Sequence, residues 1–135
     1  MYPNFKKYLL AITKSSFCQE VEIIQSLWSG YGKISRYELD HSSEKTVVIK
    51  NIALSRVSDH PRGWNTNFGH QRKVKSYKVE TNWYQNWSHL LNDSCKIPKL
   101  IGSYSEGLDQ WIILEDLNKR FPLRKERINL DEVKV

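Results

Sequence analysis

The chain has 135 residues, of which 39% are hydrophobic and 12% aromatic, with five Trp and seven Tyr. That length holds one domain with a real core and is short for two, and the apolar content excludes a disordered chain. Twenty-one basic residues against fifteen acidic ones leave a net charge of +6, which favours anionic partners, nucleotides and nucleic acids among them.

In chain order, residues 4–15 have the spacing of a short amphipathic helix, with Phe5, Leu9 and Ile12 on one side. Its Leu9-Leu10-Ala11-Ile12 core is too short for a secretory signal, and no stretch could span a membrane, so the expectation is a cytoplasmic protein with no membrane partner. Cys18 and Cys95 form neither a disulfide framework nor a metal-ligand spacing. They read as two packed free thiols in a reducing compartment. Glu20 to Trp28 reads as a strand that Ser29-Gly30-Tyr31-Gly32 breaks. Lys33 to Leu39 is a second strand, turning at Asp40-His41-Ser42-Ser43, and Lys45 to Ile52 is a third.

A polar, irregular stretch from Ser55 to Gly69 follows, containing His60-Pro61-Arg62-Gly63-Trp64-Asn65. From about His70 to Asn92 the residues Val74, Tyr77, Tyr84, Trp87 and Leu91 recur at helical spacing and predict a long helix with that inward stripe. Pro98 opens a fourth strand through Tyr104, Glu106-Gly107 turns it, and Gln110 to Leu114 is a fifth. Glu115-Asp116-Leu117-Asn118 leaves the sheet, Phe121-Pro122-Leu123-Arg124 is extended, and a helix begins near Asn129-Leu130-Asp131. The order strand, strand, strand, helix, strand, strand predicts an α+β fold. Its expected form is a five-stranded, mainly antiparallel sheet with the long helix against one face.

Lys50 is the residue that calls for an explanation. Strand alternation puts Val48, Lys50 and Ile52 on one face, and a cation there is costly unless paired. A lysine on an edge strand would instead snorkel to water. Glu80 lies three residues after Tyr77 and four before Tyr84, so it shares their inward stripe and is the expected partner. Upstream, Gly30-Tyr31-Gly32 lets backbone N–H groups approach phosphate oxygens, although Ser35 stands where a third glycine would complete G-x-G-x-x-G. Such a turn alone is most often a plain hairpin. Val48 suits the role of a ring cover for a bound base, with Ile34 and Leu114 beside it.

Other features point less far. Arg62, Arg72, Lys73, Lys75 and Lys78 accumulate without an acid until Glu80 and interleave with Trp64, Phe68 and Tyr77. They read first as the solvated side of the helix and its approach, and second as a nucleic-acid-binding surface. His60, His70 and His89 share no metal-like spacing.

As a set, Ser29-Gly30-Tyr31-Gly32, Val48-Ile49-Lys50, Val79-Glu80 with Trp83-Tyr84, Ile97-Pro98 and Ile113-Leu114-Glu115-Asp116-Leu117 resemble a known group. The chain resembles the N-terminal lobe of the choline-kinase and aminoglycoside-phosphotransferase superfamily of small-molecule kinases. His60-Pro61-Arg62-Gly63-Trp64-Asn65 and Ser76-Tyr77 are similar to its choline-kinase-like branch that includes ecdysteroid-kinase-like proteins. The resemblance covers about residues 20 to 127 and implies a protein-kinase-like lobe over 19–118. Residues 1–18 are then a helical extension, and 119–135 a connector and the start of a second lobe. It implies ATP as the ligand, with Lys50 at the phosphates, Glu80 orienting it, and Glu115, Asp116 and Leu117 meeting adenine.

In that superfamily the base and the magnesium ligands come from a C-terminal lobe. Only nineteen residues follow Asp116, and their acids, Glu126, Asp131 and Glu132, make no such site. The expectation is an ATP-binding lobe of a small-molecule phosphotransferase that is inactive as this isolated chain, with no catalytic or metal residue of its own. Magnesium is then expected only with the missing C-terminal lobe. The partner is that lobe, or a second copy through apolar surface near Leu117, Phe121 and Leu123. The alternatives are a basic nucleic-acid-binding module and a truncated remnant with no ligand.

Overall fold

In the computed structural model, described here for residues 2–56, 67–123, 127 and 129, the chain starts with helix α1, Pro3–Thr13. Pro3 opens the helix, where its fixed φ and missing N–H are harmless. Lys14 closes it at φ +54°, and the Ser15 N–H donates to Leu10 O at 3.0 Å. Phe5 and Leu9 are buried on the inward side, as their spacing requires, with Ile12 packed beside them.

Five strands follow: β1 Cys18–Ser26, β2 Gly32–Leu39, β3 Thr46–Ile52, β4 Leu100–Glu106 and β5 Asp109–Glu115. They form one sheet in the order β1-β2-β3-β5-β4, every pair antiparallel. The long helix α2, Asn67–Asn86, lies between β3 and β4 in sequence. The architecture is α+β, as the order of elements predicted.

Alternation along β3 divides the core into two. Val47 and Ile49 face α1, in a cluster with Phe5, Leu9, Tyr37, Leu39, Trp111 and Ile113. Phe5 stacks on Trp111 there, ring centroids 4.9 Å apart. On the opposite face Ile52, Ile112 and Leu114 pack with Tyr31 and with Tyr77 of α2. The sheet is therefore covered on both sides by unlike helices.

Several boundaries differ from the sequence expectation. Helix α2 stops at Asn86 rather than Asn92, and two short 3-10 turns, Ser88–Leu90 and Asp93–Cys95, follow. Side chains end it. Asn86 donates to Asn82 O and Oδ1, and the Ser88 hydroxyl donates to Tyr84 O at 2.6 Å. Trp87 and Leu91, expected in the inward stripe, are consequently exposed. β1 begins at Cys18 and ends at Ser26, while Trp28 lies in a 3-10 turn. β4 begins at Leu100, two residues after Pro98. Cys18 is buried as expected, but Cys95 is exposed on the turn beyond α2. Residues 57–66, with the His60–Asn65 motif, and the expected helix near Asn129-Leu130-Asp131 fall largely or wholly outside the described residues.

The glycines of the β1–β2 turn carry different constraints. Gly30 has φ +74° with open space where a Cβ would stand, whereas at Gly32, φ +133°, a Cβ would lie 1.9 Å from Asn51 O. Gly30→Ala should cost about 1 kcal/mol, the left-handed backbone penalty alone. Gly32→Ala should cost about 3 kcal/mol, because the β2–β3 backbones must also separate. Urea denaturation of the two variants checks the ranking.

Candidate functional site

Lys50 sits on β3, between β2 and β5, so it has no sheet edge over which to reach water. Its cross-strand neighbours are Ile34 and Ile112, both apolar. Glu80 supplies the missing counter-charge. Lys50 Nζ donates to Glu80 Oε1 at 2.8 Å and to Oε2 at 2.6 Å. The side chains are 15% and 34% exposed respectively, so the pair is shielded yet reachable from solvent. Lys50 Nζ also lies 5.3 Å from the centre of the Tyr77 ring, within cation–π range. Burial, and next the Glu80 charge, raise the Tyr77 and Tyr84 phenols above their usual range. Both rings stay neutral around the ion pair.

The glycine turn lies at the Ile52 end of β3. Gly32 faces Ile52, two positions along β2 from Ile34, which faces Lys50. At strand rise that is about 7 Å. The turn is closed by the Leu27 N–H donating to Gly32 O at 2.8 Å, and the Ala53 N–H donates to Tyr31 O at 2.7 Å. The Tyr31 ring is buried against Tyr77, and its hydroxyl lies 3.0 Å from His70 Nδ1. Tyr31 thus anchors the turn to α2, while Gly32 is held in the sheet against β3.

At the other end of β3, β5 runs into the connector. Val48, Leu114, Glu115, Asp116 and Leu117 line one cavity of about 280 Å³, with Phe121 at its rim. The Glu115 carboxylate is held by Lys96 Nζ at 2.8 Å and the Lys99 N–H at 3.1 Å. Among the described residues the Leu117 N–H finds no acceptor. Ile34 lies one row away, opposite Lys50 rather than in this cavity.

Arg36 also lines this cavity, and the sequence reading passed it over. It stands opposite Val48 on β2, donates from Nε to Asp116 Oδ2 at 2.6 Å and pairs with Glu22. The signal was available. Arg36 is two residues from Ile34, on the same face as Lys50, and an inward cation there needs a partner for the same reason. Burial pushes the Asp116 carboxyl up, but hydrogen bonds from Arg36, the Asn118 N–H and Thr46, with the guanidinium charge, hold it below the usual range.

A larger cavity, about 620 Å³, opens between the end of α2 and β4 beside His89 and Cys95, and none of the expected site residues lines it. Among the described residues no three His, Cys, Asp or Glu side chains converge to hold a metal ion. No protein-family model matches the chain, and no curated protein matches it.

Two outcomes follow from this geometry. Lys50→Ala and Glu80→Ala, made singly and together, should couple by about 1–3 kcal/mol in urea denaturation, between exposed and fully buried pairs. The Asp116 carboxyl has a lowered pKa in the folded chain, so the unfolded chain takes up that proton first as the pH falls. Its stabilisation is present above about pH 4, the unfolded value, and is lost as the pH drops through the folded one. Asp116→Asn should lower stability at neutral pH and flatten the acid limb of a stability–pH curve.

Proposed function

We propose that the sheet face around Lys50 is the ATP-binding half of a small-molecule phosphotransferase site, similar to the N-terminal lobe of choline-kinase-like and aminoglycoside-phosphotransferase-like enzymes. The observation that carries this reading is the grip of both Glu80 oxygens on Lys50. A helix carboxylate that holds a sheet lysine fixes its ammonium at one point, as phosphate binding requires. The order of residues along β3 adds support. Connector, Val48, Lys50 and glycine turn follow one another from Val47 to Ile52. That is five residue steps along the strand, about 17 Å. Adenine against Val48 and Leu114 would meet the Leu117 N–H, and its phosphates would run to Lys50 and the turn.

The half-site is a weak one. At about 280 Å³ the connector cavity falls just below the usual range for ligand pockets. Phe121 and Leu123, which line it, are 52% and 88% exposed, which suits packing against a second lobe or a second copy. Transfer would further need a base at the acceptor hydroxyl and oxygen ligands for magnesium, which the resemblance assigns to that second lobe.

ATP should therefore bind this chain with a Kd on the order of millimolar, about 4 kcal/mol. Lys50→Ala should abolish binding, and choline, ethanolamine and aminoglycosides should not be phosphorylated by the 135-residue chain. Calorimetric titration with and without magnesium, paired with a transfer assay, tests both halves. Unchanged ATP binding by Lys50→Ala would end the nucleotide reading, and turnover of any acceptor would end the half-site reading.

A further inference from the structure

Helix α2 turns its only acid, Glu80, inward to Lys50. Its outer face carries Phe68, Arg72, Lys75, Val79 and Trp83 at three- and four-residue steps, a stripe of about 22 Å by helical rise. All five are exposed, with Phe68 at 69% and Val79 at 58%. Lys78 adds a third exposed cation beside them. Where the helix ends, Trp87 and Leu90 continue the apolar surface at 56% and 65% exposure.

We propose that this face docks on the surface of an anionic lipid bilayer, independently of any nucleotide site. The charge pattern selects an anionic partner, because Arg72, Lys75 and Lys78 face outward with no acid of α2 among them. The apolar groups select lipid. Trp83 and Trp87 have the amphipathic rings that settle at a headgroup boundary. Val79, Leu90 and Leu91, half of the exposed apolar set, have no ring to stack on a base, which disfavours nucleic acid. A second copy would bring two such cationic faces together in a chain of net charge +6, and is disfavoured on that ground. The contact is interfacial, since no described helix is long and apolar enough to cross a membrane.

The test is flotation of the full chain with phosphatidylcholine vesicles, with and without phosphatidylserine, while tryptophan emission is followed. Binding should require phosphatidylserine, shift the emission to the blue and weaken with added salt. Changing Arg72, Lys75 and Lys78 together to Ala should lower partitioning about a hundredfold. Trp83→Ser with Trp87→Ser should remove the blue shift while leaving salt-sensitive binding. All five positions are exposed, and an unchanged far-UV spectrum and melting temperature show that each variant is folded. Equal binding to neutral vesicles, no binding to anionic ones, a triple charge variant that binds like the parent, or a blue shift that survives in the tryptophan variant would overturn the proposal. So would tighter binding to a single-stranded oligonucleotide at the same salt, or a concentration-dependent dimer that covers Trp83.

Discussion

The ion pair between Lys50 and Glu80 decides how α2 lies on the sheet. The inner side of this helix presents His70, Lys73, Val74, Tyr77, Glu80 and Tyr84, a mixture of polar and apolar groups. They dock through the cluster around Tyr77 and through specific polar contacts. His70 meets Tyr31 near the start of the helix, Glu80 grips Lys50 in the middle, and Gln85 donates to Ser103 Oγ at 2.7 Å near the end. Helix α1 is held differently, by Phe5 and Leu9 in a buried aromatic cluster around Trp111. One helix is packed by area and the other by the Tyr77 cluster together with a few polar contacts, and only the second responds to charge at Lys50.

Register makes this arrangement possible. β3 alternates Val47 and Ile49 toward α1 with Val48, Lys50 and Ile52 toward α2, and β5 alternates Trp111 and Ile113 with Ile112 and Leu114. A slip of one residue would carry Lys50 into the aromatic cluster and Trp111 onto the α2 face. The close approach of Gly32 to Asn51 O pins β2 against β3 at one end. At the other end the Arg36–Asp116 pair pins β2 to the connector, so both ends of the candidate site are fixed to the same strand, β2.

Much of this was legible in the sequence, for identifiable reasons. α1, β2 and β3 showed because their periods are strong and their ends carry turn residues. The Lys50–Glu80 pair showed because a charge placed on an inward face demands a partner. Arg36 obeys the same rule, but its partners Asp116 and Glu22 lie far from it in sequence or on a neighbouring strand, where no periodic pattern points to them. The end of α2 was not legible from hydrophobic spacing. Trp87 and Leu91 continue the period of Tyr77 and Tyr84, but Asn86 and Ser88 terminate the helix by bonding back to its carbonyls. The exposure of Cys95 follows from that early stop, which leaves the residue on a surface turn.

The two sides of α2 also show why hydrophobicity alone could not have oriented it. Its outer side holds Phe68, Val79 and Trp83, and its inner side holds Glu80, Lys73 and His70 with two tyrosines. Burying Val79 and Trp83 instead would contribute about 1.5–3 kcal/mol for each fully buried side chain. That rotation would swing Glu80 away and strand Lys50 between Ile34 and Ile112. An uncompensated charge in such a position costs about 3–5 kcal/mol, and Tyr31 would lose His70 as well. The two effects are of similar size, so the orientation is set by the polar contacts together with the burial of Tyr77 and Tyr84, which the same rotation would forfeit. A fold built to maximise burial alone would place neither lysine nor glutamate there. The orientation of α2 is the physical reason the sheet face at Lys50 stays polar and reachable, while an apolar stripe faces solvent on the other side of the same helix.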